Sequence, residues 1–157
     1  MKLDRRDAGI LNALQRNARL TGDELAAIVH LSTAACNRRV ARLREGGMIE
    51  ADVAIVLPEK AGYGLQLTVL LSLKSDRDPE AHERLKGEFR RRPEIANAVS
   101  VTGQWDFVLT VVVRSPQRYE ELMSELRTEH PSLDGSEALL VIDRIKTGFE
   151  VLVEAQA

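Results

Sequence analysis

The chain has 157 residues with 22 Lys/Arg against 24 Asp/Glu, a net charge of −2, and is long enough for one large domain or two small ones, each with a real core. It shows no signal-type leader and no apolar run of bilayer length, so a soluble, cytoplasmic protein with no membrane partner is expected. Cys36 is the only cysteine, which excludes an internal disulfide and a cysteine-based structural zinc site and suits a core position. The balance is uneven. Residues 1–57 carry nine Lys/Arg and seven Asp/Glu, or +2, and residues 58–157 carry thirteen and seventeen, or −4. A general electrostatic nucleic-acid binder is thereby disfavoured, but the basic excess lies at the N-terminal end.

Asp4 can cap a first helix whose Ile10, Leu11 and Leu14 form an apolar stripe. Thr21 and Glu24 form a capping box for a second helix, with Leu25, Ile28 and Val29 on its apolar face. Val29-His30-Leu31-Ser32 breaks that helix, and Ser32 is a good N-cap for a third, which ends at Gly46-Gly47. In the third helix Cys36, Val40 and Leu43 share the buried face, whereas Ala34, Arg38, Ala41 and Arg42 point outward with Asn37 on the flank. Two short, tightly joined helices packed on a first one fit a helix-turn-helix. Its last helix can enter a major groove, where arginine pairs with guanine and asparagine with adenine. Arg38, Arg42 and Asn37 are the expected base readers. Arg39 lies nearer the core edge and suits a phosphate. Ser32 and Thr33 at the helix start complete the expected double-stranded DNA contacts. A merely solvated charged face is the plainer alternative, against which the small residues between the arginines weigh, since they permit close approach.

After Gly47 the alternation of Val53, Ile55 and Leu57 predicts a strand, and Pro58–Gly64 makes the best boundary in the chain. The expected organisation is a helix-turn-helix domain over 1–49, a hinge strand and linker over 50–64, and a second domain over 65–157. In the latter, Leu65–Leu73 has strict period two. Asp78-Pro79 and Ser115-Pro116 each start a helix. Strands are predicted over Ile95–Thr102, Phe107–Arg114 and Ala138–Ile145, with a tight turn at Gly103–Asp106 and a loop at Pro131–Gly135. The order β-α-β-β-α-β is ferredoxin-like, so the fold class is α+β. Two helices cover one face of such a sheet. The other would leave Val108, Val112, Leu139 and Val141 in water, which favours a homodimer, and a dimer would present paired half-site readers.

Several motifs in order over nearly the whole chain resemble the Lrp/AsnC (feast/famine) transcriptional regulators. They are Leu3-Asp4-Arg5-Arg6-Asp7 with Ile10-Leu11, Glu24-Leu25-Ala26, Leu31-Ser32, Cys36-Asn37-Arg38-Arg39-Val40 with Leu43, and Gly46-Gly47-Met48-Ile49. Pro58-Glu59-Lys60 with Gly62-Tyr63-Gly64, and Val101-Thr102-Gly103-Gln104-Trp105-Asp106-Phe107, complete the set. The resemblance implies a DNA-binding domain, a hinge and a C-terminal domain that dimerises and senses small molecules, with dimers able to assemble into octamers. It also implies an amino-acid effector bound between dimers near the Gly-x-x-Asp turn, hence Thr102, Gly103, Gln104, Trp105 and Asp106 as its contacts. A glycine turn can offer backbone N–H groups to a carboxylate while Asp106 pairs with an ammonium; the plainer alternative is a hairpin turn in which Asp106 satisfies backbone donors. The chain departs from the family in placing His30 where glycine is usual, so His30 must take a positive φ or reshape the turn.

Two other functions compete with the regulator. Haem-biosynthesis decarboxylases resemble the same family, but His30, His82 and His130 are scattered and have no metal-ligand or nucleophile partner at useful spacing. The expectation is therefore no enzyme, no cofactor and no metal. A DNA-architectural protein of low sequence preference is disfavoured by the acidity of the chain.

Overall fold

The computed structural model describes residues 2–74, 78–148 and 150–156. The chain forms two compact units, one of Met1–Ile55 with Lys146–Ala157 and one of Val56–Ile145.

In the first unit three helices, α1 (Arg5–Arg16), α2 (Gly22–Val29) and α3 (Thr33–Glu45), enclose a core of Leu3, Ile10, Leu11, Leu14, Leu25, Val29, Cys36 and Leu43. Each begins on a side-chain cap. The Asp4 carboxylate accepts from the amides of Arg6 and Asp7, and Asp7 returns the contact to the amide of Asp4. Thr21 and Glu24 do the same for α2, and Ser32 Oγ accepts from the amide of Ala35. Such caps satisfy donors that a helix start leaves without partners. At the end of α3, Gly47 takes the left-handed conformation at φ +70° and the amide of Met48 donates to Leu43, closing the helix as a Schellman turn.

His30 adopts φ 53° and ψ 56°, the left-handed geometry that glycine would take without strain. The Arg6 guanidinium donates to the carbonyl of Val29 beside it. Ile28, expected on the apolar face of α2, is 52% exposed; Leu25, Ala26 and Val29 are buried instead. A Cβ at Gly9 would lie 3.1 Å from Val29 Cγ1, so α1 seats closely on Val29.

The second unit is one antiparallel sheet of β1 (Leu65–Leu73), β2 (Ile95–Ser100), β3 (Phe107–Val113) and β4 (Leu133–Leu140) in the order β2-β3-β1-β4. With α4 (Pro79–Arg91) and α5 (Pro116–Glu129) as crossovers, this is the ferredoxin-like arrangement. Val69, Leu71, Leu109, Val111 and Phe107 from the sheet meet Leu85, Phe89, Leu122 and Leu126 from the helices. No helix among the described residues is long and apolar enough to cross a membrane.

Four expectations need correction. Residues 50–57 form no strand, and Val53, Ile55 and Val56 are exposed: alternation makes a strand only where a neighbour supplies the ladder. The last strand starts at Leu133, inside the expected loop, and ends at Leu140. Leu133 pairs with Leu73, and the last ladder contact is the amide of Val141 donating to Gln66, beyond which β1 has run out. Gly135 sits at a shift in this register, its amide donating to Ser72 Oγ at 3.0 Å. Residues 146–156, expected with the second domain, belong to the first unit. The open face of the sheet is also less uniformly apolar than expected. Leu139 is 48% exposed and Val108, Val112 and Val141 are half-buried, but the pairings Thr68↔Thr110, Gln66↔Val112 and Leu70↔Glu137 put polar residues among them.

Glu88 is buried at the end of α4 and accepts from Arg91 and Arg92. Those guanidiniums hold its carboxyl below the ordinary value of 4.5. A depressed carboxylate contributes stability that is complete above its unfolded value and is lost as pH falls through the folded one. Urea unfolding should therefore show stability decreasing as pH is lowered from about 5 to below 4, with a smaller decrease in Glu88→Gln.

Candidate nucleic-acid interface and effector turn

The outward side of α3 carries Ala34, Asn37, Arg38, Ala41 and Arg42, all exposed. Its arginines are not equivalent. Arg39 donates to Asp4 at 2.6 Å and to Asp7 at 2.8 Å, and Arg42 donates to the other oxygen of Asp7 at 2.6 Å. Asp7 is 1% exposed, so a single carboxylate from the first turn of α1 orients two arginines of α3. Arg44 pairs with Asp52 at 2.7 Å. Among the described residues Arg38 alone of the four makes no ion pair. Asp4 is held below the ordinary carboxylate range by the amide of Asp7 and by Arg39.

At the N-terminus of α3, Ser32 is exposed and its Oγ serves as the cap. Thr33 Oγ1 donates to Asp23 at 2.6 Å, tying the start of α3 to that of α2. Asn37 lies over Gly22, where a Cβ would come 2.4 Å from its Oδ1; only glycine lets the two helices meet there. Asp7, Asp23 and Gly22 therefore shape this surface without having been read as part of it. Asp4 is legible as a cap, and Asp7 completes the capping box from the first turn of α1. Its second use, against arginines more than thirty positions away, has no local signature.

In the second unit Thr102, Gly103 and Gln104 are exposed in the turn between β2 and β3, and Gly103 has φ +128°. The amide of Val101 donates to the Asp106 carbonyl at 3.0 Å, and the amide of Asp106 donates to Leu71 at 2.8 Å. Among the described residues the amides of Thr102, Gly103, Gln104 and Trp105 have no hydrogen-bond acceptor. These amides are open to solvent or to a hydrogen-bond acceptor. The Asp106 carboxylate accepts from the amide of Leu73 at 2.7 Å through Oδ2, and its other oxygen has no partner among the described residues. The half-buried Trp105 lies against β4, with a Cβ at Gly135 falling 3.6 Å from its Cζ3.

The histidines are dispersed. His30 closes α2, His82 stacks on Phe107 at 4.4 Å between ring centroids, and His130 closes α5. Glu88, Glu129 and His130 place ligand atoms within 4.8 Å of one another, and Arg92, bonded to both carboxylates, supplies the cation there.

Comparison with known proteins finds relatives for both units. Residues 3–50 match the winged helix-turn-helix DNA-binding family and residues 68–151 match the Lrp/AsnC ligand binding domain. An HTH-type transcriptional regulator of Sinorhizobium fredii is 41% identical over 98% of this chain and 90% of its own length. The DNA-binding transcriptional activator DecR of Escherichia coli is 30% identical over 97% of this chain and 99% of its own. Among solved structures, a transcriptional regulator from Neisseria meningitidis in complex with L-Met superposes with a TM-score of 0.83 at 28% identity, covering 92% of this chain and 93% of that one. An AsnC family regulator from Agrobacterium tumefaciens gives 0.85 at 27% identity, covering 95% and 96%. The chain belongs to the Lrp/AsnC family of transcriptional regulators.

Proposed function

We propose that this chain is a sequence-specific, homodimeric DNA-binding regulator, able to assemble further into octamers, whose C-terminal unit answers to an amino acid or a related small molecule. The observation that carries the DNA reading is the exposed face of α3, on which Arg38 is unpaired among small neighbours while Asp7 holds Arg39 and Arg42. Arg38 is assigned a base edge and Asn37 a neighbouring one, with Arg42 reading from the position that Asp7 fixes. Ser32, Thr33 through its backbone amide at the start of α3, and Arg39 are assigned to phosphates. The effector reading rests on the free amides at Thr102–Trp105 beside Asp106, which suit the carboxylate and ammonium ends of an α-amino acid. The dispersal of the three histidines supports a regulator over a catalyst.

Arg38→Ala should lose about 1–3 kcal/mol of specific binding, read as a gel shift against a selected operator at fixed salt. Arg39→Ala should weaken all sequences alike. Equal operator affinity for Arg38→Ala and the parent chain would remove Arg38 from the reading.

For the effector, a thermal-shift screen of the twenty amino acids should find at least one that raises the melting point. A ligand at about a hundred times its Kd adds about 2.7 kcal/mol to stability. Twenty flat traces at millimolar concentration would contradict the effector reading.

A further inference from the structure

The exposed side of α1 holds an extended segment of the same unit in a defined register. Asn12 Nδ2 donates to the Val153 carbonyl at 2.9 Å, and the amide of Val153 donates back to Asn12 Oδ1 at 3.0 Å. One turn further on, Gln15 Nε2 donates to the Val151 carbonyl at 2.9 Å and receives the amide of Val151 on Oε1 at 2.8 Å. Arg16 pairs with Glu150 at 2.9 Å, and the amide of Gln156 donates to Leu3 at 3.0 Å. A side-chain amide carries the same donor and acceptor as a peptide group. Two of them on one helix face therefore act as a strand edge, and residues 151 and 153, two apart, turn the same backbone edge toward them. The amides read only backbone. Val153, packed against the core, and Glu150, paired with Arg16, set the register.

The chain leaves the first unit at Ile55–Val56 and returns to it at Ile145–Lys146. While the segment is held, the first unit is joined to the second by two covalent connections; once released, by one. A second connection closes a loop and removes configurations open to a single tether.

Resting on the reading of the protein as a DNA-binding dimer, we propose that Asn12 and Gln15 are spacing-determining residues. By holding residues 150–156 they restrict the freedom of each DNA-binding unit, and so narrow the range of half-site separations that the dimer accepts. Neither residue is assigned a contact with DNA.

The test uses the full chain carrying Asn12→Ala with Gln15→Ala. A second pair, Asn12→Asp with Gln15→Glu, keeps side-chain shape and turns carboxylate oxygens toward the Val153 and Val151 carbonyls; it carries the test should the alanine pair fail to fold. Operators with the half-sites moved apart one base pair at a time are compared with the selected spacing, and hydrogen exchange follows the amides of Val151 and Val153. The parent chain should lose about tenfold or more when the half-sites are displaced by about half a helical turn. The variants should bind the selected spacing within about threefold of the parent and lose less than about threefold on displacement, with both amides unprotected. Unprotected amides with the parent's spacing profile would overturn the proposal, as would amides that stay protected in both pairs. A parent chain that binds no operator while keeping both amides protected would overturn the DNA reading, and this inference with it, although the held segment itself would stand.

Discussion

A four-stranded sheet with both crossover helices on one side has a second face that nothing in its own unit covers. Here that face is a mixture. Leu139, Val99, Val108, Val112, Leu70 and Val141 lie on the face shared by Thr68, Thr110, Gln66 and Glu137. Covering a large apolar side chain contributes about 1.5–3 kcal/mol, so even partial burial of four or five of them outweighs much of the cost of association. The polar residues between them keep such a face tolerable to water and give a partner copy hydrogen bonds to satisfy, as Thr68 and Thr110 across one register already suggest. In the homodimer proposed above, covering this face would turn a single helix-turn-helix into a paired reader suited to a symmetric operator.

Within the first unit, ion pairing sorts the arginines of α3 into three held in a fixed pose and one, Arg38, without an ion pair among the described residues. Four arginines on one helix suggest a strongly cationic probe, yet Asp4, Asp7 and Asp52 answer three of them. Asp7 is the pivotal residue. Its amide donates to Asp4 in the first turn of α1, its carboxylate accepts from the amide of Asp4, and the same two oxygens carry Arg39 and Arg42. Cap, helix packing and the pose of the reading face thus share one buried carboxylate. A surface neutralised in this way depends less on counterion release than four bare arginines would, and geometry takes a larger part in its discrimination. The weak overall acidity of the chain is consistent with such a design.

Much of this was legible from residues alone because it is local. The three helix starts, the left-handed close at Gly47, the period-two run of Leu65–Leu73 and the Asp-Pro and Ser-Pro helix openings each depend on neighbours within a few positions. For His30 the resemblance left two alternatives, a positive φ or a reshaped turn, and the chain takes the first. What escaped depends on partners far along the chain. Val53–Leu57 alternates like a strand but has no ladder. Ala138–Ile145 is apolar enough to be a strand, yet β1 dictates that pairing begins at Leu133 and stops just after Leu140. Ile28 lies outside the buried stripe of Leu25, Ala26 and Val29, which is set by how α2 packs in the unit. At the two functional surfaces, outward residues could be named from helical angle and turn chemistry. The use of Asp7, the seating of Asn37 over Gly22 and the placing of Trp105 against β4 are tertiary facts.

The held segment on α1 and the open face of the sheet bear on the same property, the freedom of two DNA-binding units carried by one assembly. One matters only if the other joins two chains. Sedimentation equilibrium of the full chain at micromolar concentration addresses this directly. The account requires a species of twice the chain mass or an even multiple of it. A single species of the mass of one chain, unchanged by added operator DNA, would contradict it.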